Sequence, residues 1–269
     1  MKGLYWRVYR RVRIGFAIMG FIIMYSMSTG LFNIGIFTAA LSVFFGELFG
    51  ALYNDYCDIE EDKKNKRNDK LTVSKTMDLD QTKRLAVLMA SFCIITAIIS
   101  SFLVFAIIYI IMAWAYSNPK IRLKSYNIKG YFALSLSWFF IPIYLGFVYR
   151  DGILVIDVLL GSFFFFQYLY LLCQKDSTDL RDRTNLFVEK GWRLATTTCS
   201  ILAFLSSMSL LFISMSNILL VILWALNASV KSFQLKSMFQ RTMTRNKRSK
   251  LVLMEFLTPY LYAGGALIV

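Results

Sequence analysis

Asn54-Asp55-Tyr56-Cys57-Asp58-Ile59-Glu60-Glu61-Asp62 ends a long apolar stretch and opens a charged one. Residues 14–46 carry no charge, and apolar side chains continue past Glu47 to Tyr53. A membrane-spanning helix needs about 20 mainly apolar residues. The stretch 14–53 therefore holds two, turning near residues 30–35, and the acidic run marks where the second leaves the membrane. Asp55, Asp58 and Asp62 are spaced by three and four, which on a helix puts three carboxylates on one face, about one turn apart. Like charges stacked this way repel unless a cation sits among them. The pattern fits a solvated acidic helix end, or a set of oxygen ligands for a divalent metal.

The rest of the 269-residue chain follows the same logic. It is 57% hydrophobic, 16% aromatic and 17% charged, with a mean hydropathy of +0.56. That composition is too apolar for a soluble domain and indicates an integral membrane protein. Residues 85–119 are uncharged with a break at Ser100-Ser101, and 130–149 and 152–174 are single spans. Residues 194–230 hold two spans turning near 214–217, and 251–269 form the last. The expectation is an all-α bundle of nine transmembrane helices in one domain over 1–269.

Charge tests that count independently. Segments 1–13, 54–84, 120–129, 175–193 and 231–250 hold 29 of the 30 Lys and Arg, and Arg150 is the exception. If each apolar block between them crosses twice, all five lie on one side, and the positive-inside rule makes that side the cytoplasm. Residues 1–13 precede a long apolar run without a small-residue cleavage site, which reads as a retained first helix. The expected location is a bacterial plasma membrane, with the N-terminus and acidic run cytoplasmic and the C-terminus outside. The net charge of +14 then reflects topology and anionic lipid, with no nucleic-acid partner.

The chain contains no histidine. The commonest general base, the commonest zinc ligand and Ser-His or Cys-His nucleophile pairs are thereby excluded. Cys57, Cys93, Cys173 and Cys199 show no CxxC spacing. A second acidic cluster, Asp176, Asp179 and Asp182, follows the sixth span at intervals of three. In the nine-span arrangement it emerges on the same side as the first. Two such clusters facing each other need cations between them. Mg²⁺ with a diphosphate supplies that balance, because Mg²⁺ takes one or two carboxylates and completes its shell with water and phosphate oxygens. Lys175, Arg181 and Arg183 add basic contacts for a diphosphate. The matching chemistry is ionisation of an allylic diphosphate, with metal and basic residues neutralising the leaving group. Apolar surroundings then keep water from the carbocation. Phe49, Tyr53, Trp114, Phe164 and Tyr168 are among the aromatic candidates to stabilise it.

At this point the motifs resemble those of a known family. Asn54-Asp55-Tyr56-x-Asp58-x-x-x-Asp62-x-x-Asn65-Lys66 resembles the first signature of the UbiA superfamily of intramembrane prenyltransferases. Tyr116-Ser117-Asn118-Pro119-Lys120-Ile121-Arg122-Leu123-Lys124 resembles its YSxPxxRLK segment, and Asp176–Asp182 its second aspartate motif. The resemblance implies a UbiA-type bundle with a cytoplasmic-side active-site cavity. It also implies Mg²⁺-dependent transfer of a prenyl group from a prenyl diphosphate to an aromatic or quinone-type acceptor. Carried over by position, Asn54, Asp58 and Asp62 form the first metal site with Asp55 beside it, and Asp176 and Asp179 form the second. Lys66, Tyr116, Arg122, Lys124 and Lys175 become diphosphate contacts. Three features depart from the pattern. Asn65–Leu71 lacks the arginine and proline of NKxxRPL, although Arg67 and Lys70 keep positive charge there. Asp182 comes one residue early, without the usual glycine. The Arg10-Arg11-Val12-Arg13 segment has no proline.

Two other readings remain. A UbiA-type terpene cyclase ionises the same diphosphate and closes the cation on itself without an acceptor. A transporter uses intramembrane acids as an ion path, for which Glu47, Asp157 and Glu255 are the candidates. Glu47 lies about two turns before Asn54 and Asp55 and is expected to face the same cavity. Asp157 is expected at the outer membrane interface, and Glu255 at a helix start, where negative charge suits the N-terminus. Replacing Asp58 or Asp176 by Ala is expected to abolish turnover and leave membrane insertion intact. Near-wild-type activity in either purified variant removes that residue from the site.

Overall fold

The structure is a computed structural model. It describes residues 15, 18–20, 22, 23, 26, 27, 30, 32–64, 70, 72–75, 77–150, 152–177, 186–215, 218–244, 248 and 251. The described residues form helices and turns, with no strand among them. The chain divides into two compact units, Met1–Leu123 and Lys124–Val269.

The first unit contains α1 (Ile34–Cys57), α2 (Leu79–Ile99) and α3 (Leu103–Ser117), with a short helix Ile59–Lys64 after α1. The turn expected near 30–35 is present. Gly30 takes a left-handed φ of +69°, and the Asn33 side chain caps α1 by accepting from the Ile36 N–H at 2.9 Å. Asp78 and Gln81 close α2 with a reciprocal capping box. The break at Ser100-Ser101 is a Schellman ending: Phe102 N–H donates to the Ala97 carbonyl at 2.9 Å, and Ser101 N–H to that of Ile98. Ser101 sits at φ 55° to make it.

Lipid is as apolar as leucine, so helices inside a membrane gain from close approach and shared polar contacts. α1 uses both. A Cβ on Gly46 would lie 2.9 Å from the Tyr109 ring, so only glycine lets that ring cross α1 there. Ser42 donates to the Cys93 carbonyl at 2.9 Å, tying α1 to α2. Phe49, Leu52, Ala86 and Ala113 form the buried core, with Tyr53, Met77, Leu85, Met89, Ala90 and Ile110 packed against it. The opposite faces are apolar and exposed, as with Val87, Ile95 and Ile98 on α2 and Ile107 and Ile111 on α3. That inversion suits lipid as solvent.

The second unit contains α4 (Ile128–Arg150), α5 (Val155–Asp176), α6 (Trp192–Ser214) and α7 (Ile218–Phe239), with a short helix Leu186–Glu189. α5 packs on both α4 and α6, and α7 packs on α6. At Gly161 the chains approach closely, and a Cβ there would lie 2.5 Å from the Phe139 carbonyl oxygen. Trp138 is buried and stacks on Tyr168 at 4.5 Å between ring centres.

A polar seam runs through α5, α6 and α7. Ser206 donates to Gln167 at 3.0 Å, and the Lys231 ammonium donates to Ser206 at 2.9 Å. Lys231 is only 2% exposed and lies 5.5 Å from the centre of the Phe163 ring, close enough for a cation–π contact. Nearer Asp176, Gln234 accepts from Tyr170 at 2.6 Å and from Gln174 at 2.7 Å. Lys231 belongs to the basic segment 231–250. That segment was read from sequence as charge facing anionic lipid, yet this member of it is buried in the bundle.

Among the described residues, α1, α2, α4, α5 and α6 are long and apolar enough to span a membrane. α3 has 15 residues, about 22 Å at 1.5 Å per residue. The turn near 214–217 is bounded by Ser214 and Ile218 as expected. The last span, 251–269, lies outside the described residues apart from residue 251, and only part of the first is described.

Ser101→Gly is expected to be neutral or stabilising, because glycine takes the left-handed conformation freely. Ser101→Val is expected to lose about 1–2 kcal/mol. Thermal melts in detergent read both.

Candidate functional site: carboxylates held at helix ends

In the first unit the acidic run does continue as helix, with one irregularity. α1 ends at Cys57, Asp58 takes φ −101° and ψ 11°, and Ile59–Lys64 resumes. The backbone bonds Asp58 N–H to Asn54 O at 3.0 Å and Asp62 N–H to Asp58 O at 2.7 Å bridge the irregularity. Asp55, Asp58 and Asp62 are all buried, Asp55 at 0% exposure. The solvated-helix-end reading is therefore set aside.

The cation that such a stack needs comes from the chain itself. Lys70 is 5% exposed. Its ammonium lies 2.5 Å from Asp55 Oδ1, 3.1 Å from Asn54 Oδ1 and 3.4 Å from Asp62 Oδ2. Asn54 is the junction. While its Oδ1 accepts from Lys70, its Nδ2 donates to Asp58 at 2.6 Å and to Ser117 at 3.1 Å. Sequence reading counted Lys70 as nearby positive charge, and the structure makes it part of the cluster.

The first two sequence motifs, some 60 residues apart, meet in this unit. Besides Asn54–Ser117, Asn118 Nδ2 donates to the Tyr53 hydroxyl at 3.1 Å, and the Arg122 guanidinium pairs with Glu61. Arg122, expected as a diphosphate contact, is thus engaged by a carboxylate of the first motif. Tyr116 ends α3. Phe49 and Tyr53 stack at 5.6 Å on the turns of α1 that lead into Asn54. Of the other aromatic candidates Phe164 is buried, whereas Trp114 is 39% exposed and faces outward. Glu47 is hydrogen bonded, receiving the Tyr109 hydroxyl from α3. Outside the buried cluster, Glu60 is fully exposed, and Lys63 at 2.8 Å holds its carboxyl below the usual range.

In the second unit Asp176 closes α5 and is buried. The Tyr131 hydroxyl lies 2.9 Å from Oδ1 and 3.0 Å from Oδ2, and the Leu186 N–H donates to Oδ2 at 2.9 Å. Sequence reading did not identify Tyr131. Its only signal was a position seven residues after Lys124, at the start of a span. Lys175 is in the last turn of α5, and Lys124 lies in the 3₁₀ turn Leu123–Tyr126. Lys66, Asp179, Asp182, Arg181, Arg183 and Glu255 lie outside the described residues. Asp157 lies in the first turn of α5. It is 0% exposed, accepts from the Leu154 N–H at 2.7 Å and pairs with Arg150, the one basic residue outside the five segments. Closing the α4–α5 turn is what buries it.

The Asn and Asp side chains at the two helix ends are hard oxygen donors, which suit Mg²⁺ better than softer metals. Among the described residues, no three acidic or cysteine side chains converge as a ready-made metal cage. Mg²⁺ does not require one, since it draws on one or two carboxylates and leaves the other positions to water and phosphate.

All-helical units with lipid-compatible surfaces and several helices long and apolar enough to span a bilayer define an integral membrane protein. Residues 14–257 match the UbiA prenyltransferase family, and the chain belongs to it. A solved structure described as "Structural and mechanistic insights into the biosynthesis of Digeranylgeranylglyceryl phosphate synthase in membranes" shares the fold. The TM-score is 0.66 at 19% identity, with 100% of each chain covered. No curated protein matches the chain.

Tyr131→Phe removes the hydroxyl that bridges both oxygens of Asp176 and leaves the ring in place. On the expectation that Asp176 holds Mg²⁺ and that a diphosphate is released, the Mg²⁺ concentration for half-maximal release rises about tenfold, the scale for groups that orient metal-binding side chains. The melting temperature should change little. An unchanged Mg²⁺ requirement removes Tyr131 from the site.

Proposed function

We propose that the protein is a Mg²⁺-dependent intramembrane prenyltransferase that ionises a prenyl diphosphate and transfers the prenyl group to an aromatic or quinone-type acceptor. The observation that carries this reading is the meeting of the first two motifs through Asn54–Ser117 and Asn118–Tyr53. A transporter has no need for that junction. Two of its three candidate acids have local partners, Glu47 in Tyr109 and Asp157 in Arg150.

In this reading Asp58 and Asp62, with Asn54, hold metal at the first site, and Asp176 and Asp179 hold it at the second. Bound Mg²⁺ supplies Lewis-acid neutralisation of the diphosphate leaving group. The chain's own residues do the rest. Tyr131 and the Leu186 N–H fix the carboxylate of Asp176. Lys66, Lys124 and Lys175 offer ammonium groups to the diphosphate oxygens, and Arg122 does so when released from Glu61. Tyr53 and Phe49 present aromatic faces beside Asn54, suited to an allylic cation. The apolar helices exclude water, so that the cation meets acceptor instead of solvent. The active face is cytoplasmic, on the side that collects the basic segments.

The test uses purified protein in detergent with Mg²⁺ and geranyl, farnesyl or geranylgeranyl diphosphate, with and without aromatic and quinone acceptors. Prenylated product that forms only with acceptor, stops with EDTA and returns with Mg²⁺ supports the transferase. A cyclic hydrocarbon formed without acceptor identifies a cyclase instead. Turnover that persists without metal overturns the mechanism.

A further inference from the structure

Lys70 stands where the family motif NKxxRPL has its proline, and the position of the motif's arginine holds Asp69. The chain has therefore exchanged a rigid turn residue for a cation. That cation is buried, and it points into the first carboxylate cluster. Its nearest partner is Asp55 at 2.5 Å, with Asp62 further away at 3.4 Å. Asp58 is instead held through Asn54 Nδ2 at 2.6 Å. The same segment is fixed a second time, because the Thr72 hydroxyl donates to the Asp55 carbonyl at 3.4 Å. A buried carboxylate and a buried ammonium at this separation compensate each other, and removing one leaves the other strongly unfavourable.

From this geometry we infer that Lys70 is a built-in monovalent cation of the first site. It claims Asp55 as its partner, lowers the negative charge of the cluster by one, and leaves divalent metal to Asp58 and Asp62 with Asn54, whose Oδ1 it meets at 3.1 Å. The inference rests on the metal–diphosphate reading above. It adds a residue that sets how many divalent charges the first site takes and how tightly it takes them. The ammonium lies within 3.4 Å of a proposed metal ligand, so it competes directly with metal there.

The test is Mn²⁺ binding, followed by electron paramagnetic resonance on purified protein in detergent, with melting temperatures of metal-free protein beside it. Lys70→Met is expected to bind Mn²⁺ about tenfold more tightly, the scale on which one neighbouring charge moves a carboxylate equilibrium. Its metal-free melting temperature is expected to fall, because Asp55 stays buried without its partner. Combining Lys70→Met with Asp55→Asn restores the net charge of the cluster. Both first-site Mn²⁺ affinity and melting temperature should return towards wild type, whereas Asp58→Asn should lose the first-site Mn²⁺ and keep that of the second. If the double variant loses Mn²⁺ as Asp58→Asn does, Asp55 is itself a ligand and the inference is overturned. Unchanged affinity in Lys70→Met overturns it as well. If wild type binds no Mn²⁺, the metal–diphosphate reading fails. The melting cycle in metal-free protein then decides the Lys70–Asp55 pairing alone, and additive effects refute it.

Discussion

Burying negative charge at the edge of a membrane is the constraint on which the first unit depends. Asp55, Asp58 and Asp62 are removed from water, and each needs donors that lipid does not provide. The Asn54 carboxamide distributes those donors. Its Oδ1 accepts a hydrogen bond from Lys70, and its Nδ2 donates hydrogen bonds to Asp58 and Ser117. One side chain thus touches α1, Lys70 and the end of α3, and the Lys70–Asp55, Thr72–Asp55 and Asn118–Tyr53 contacts tie the same parts further. The packing beneath them, with small residues on α1 and Tyr109 crossing at Gly46, holds α1 and α3 close enough for that carboxamide to reach.

The second unit meets the same constraint with different groups. At Asp176 the Tyr131 hydroxyl and the Leu186 backbone N–H, both neutral, donate to the carboxylate. Behind it, α5, α6 and α7 are joined by amides, hydroxyls and Lys231. In lipid such contacts contribute about 0.6–2 kcal/mol each, and several along one seam also fix helix register. The register of α5 sets where its last residue, Asp176, is presented.

Much of the local architecture was legible in the sequence. The turn near 30–35, the break at Ser100-Ser101 and the boundary near 214–217 are legible in small and polar residues that interrupt apolar runs: Gly30 and Ser101 take left-handed φ, and one helix ends at Ser214 and the next starts at Ile218. The two acidic clusters stood out for the same reason, as charge ending an apolar helix. What the sequence hid is long-range. Nothing local announces that Ser117 meets Asn54, that Tyr131 meets Asp176, or that Lys231 is buried instead of facing lipid. Tyrosines and lysines are common in this chain, and only packing selects the ones that matter. Asp157 shows the same limit. Its place near a helix start was readable, but its burial against Arg150 required the closed α4–α5 turn.

The junction of Tyr53 and Asn54 with Ser117 and Asn118 bears on how this protein can be recombined. Residues from two distant parts of the chain share hydrogen bonds at the end of α1, so they form one inherited block despite the separation. A chimaera cut between α1 and α3 mixes halves of that block from two parents. One cut after Leu123, where the first compact unit ends, keeps it whole. Exchanging complete units is therefore the workable route to moving specificity between relatives, and the loops between α1 and α3 are poor crossover points even though they are the most polar part of the unit.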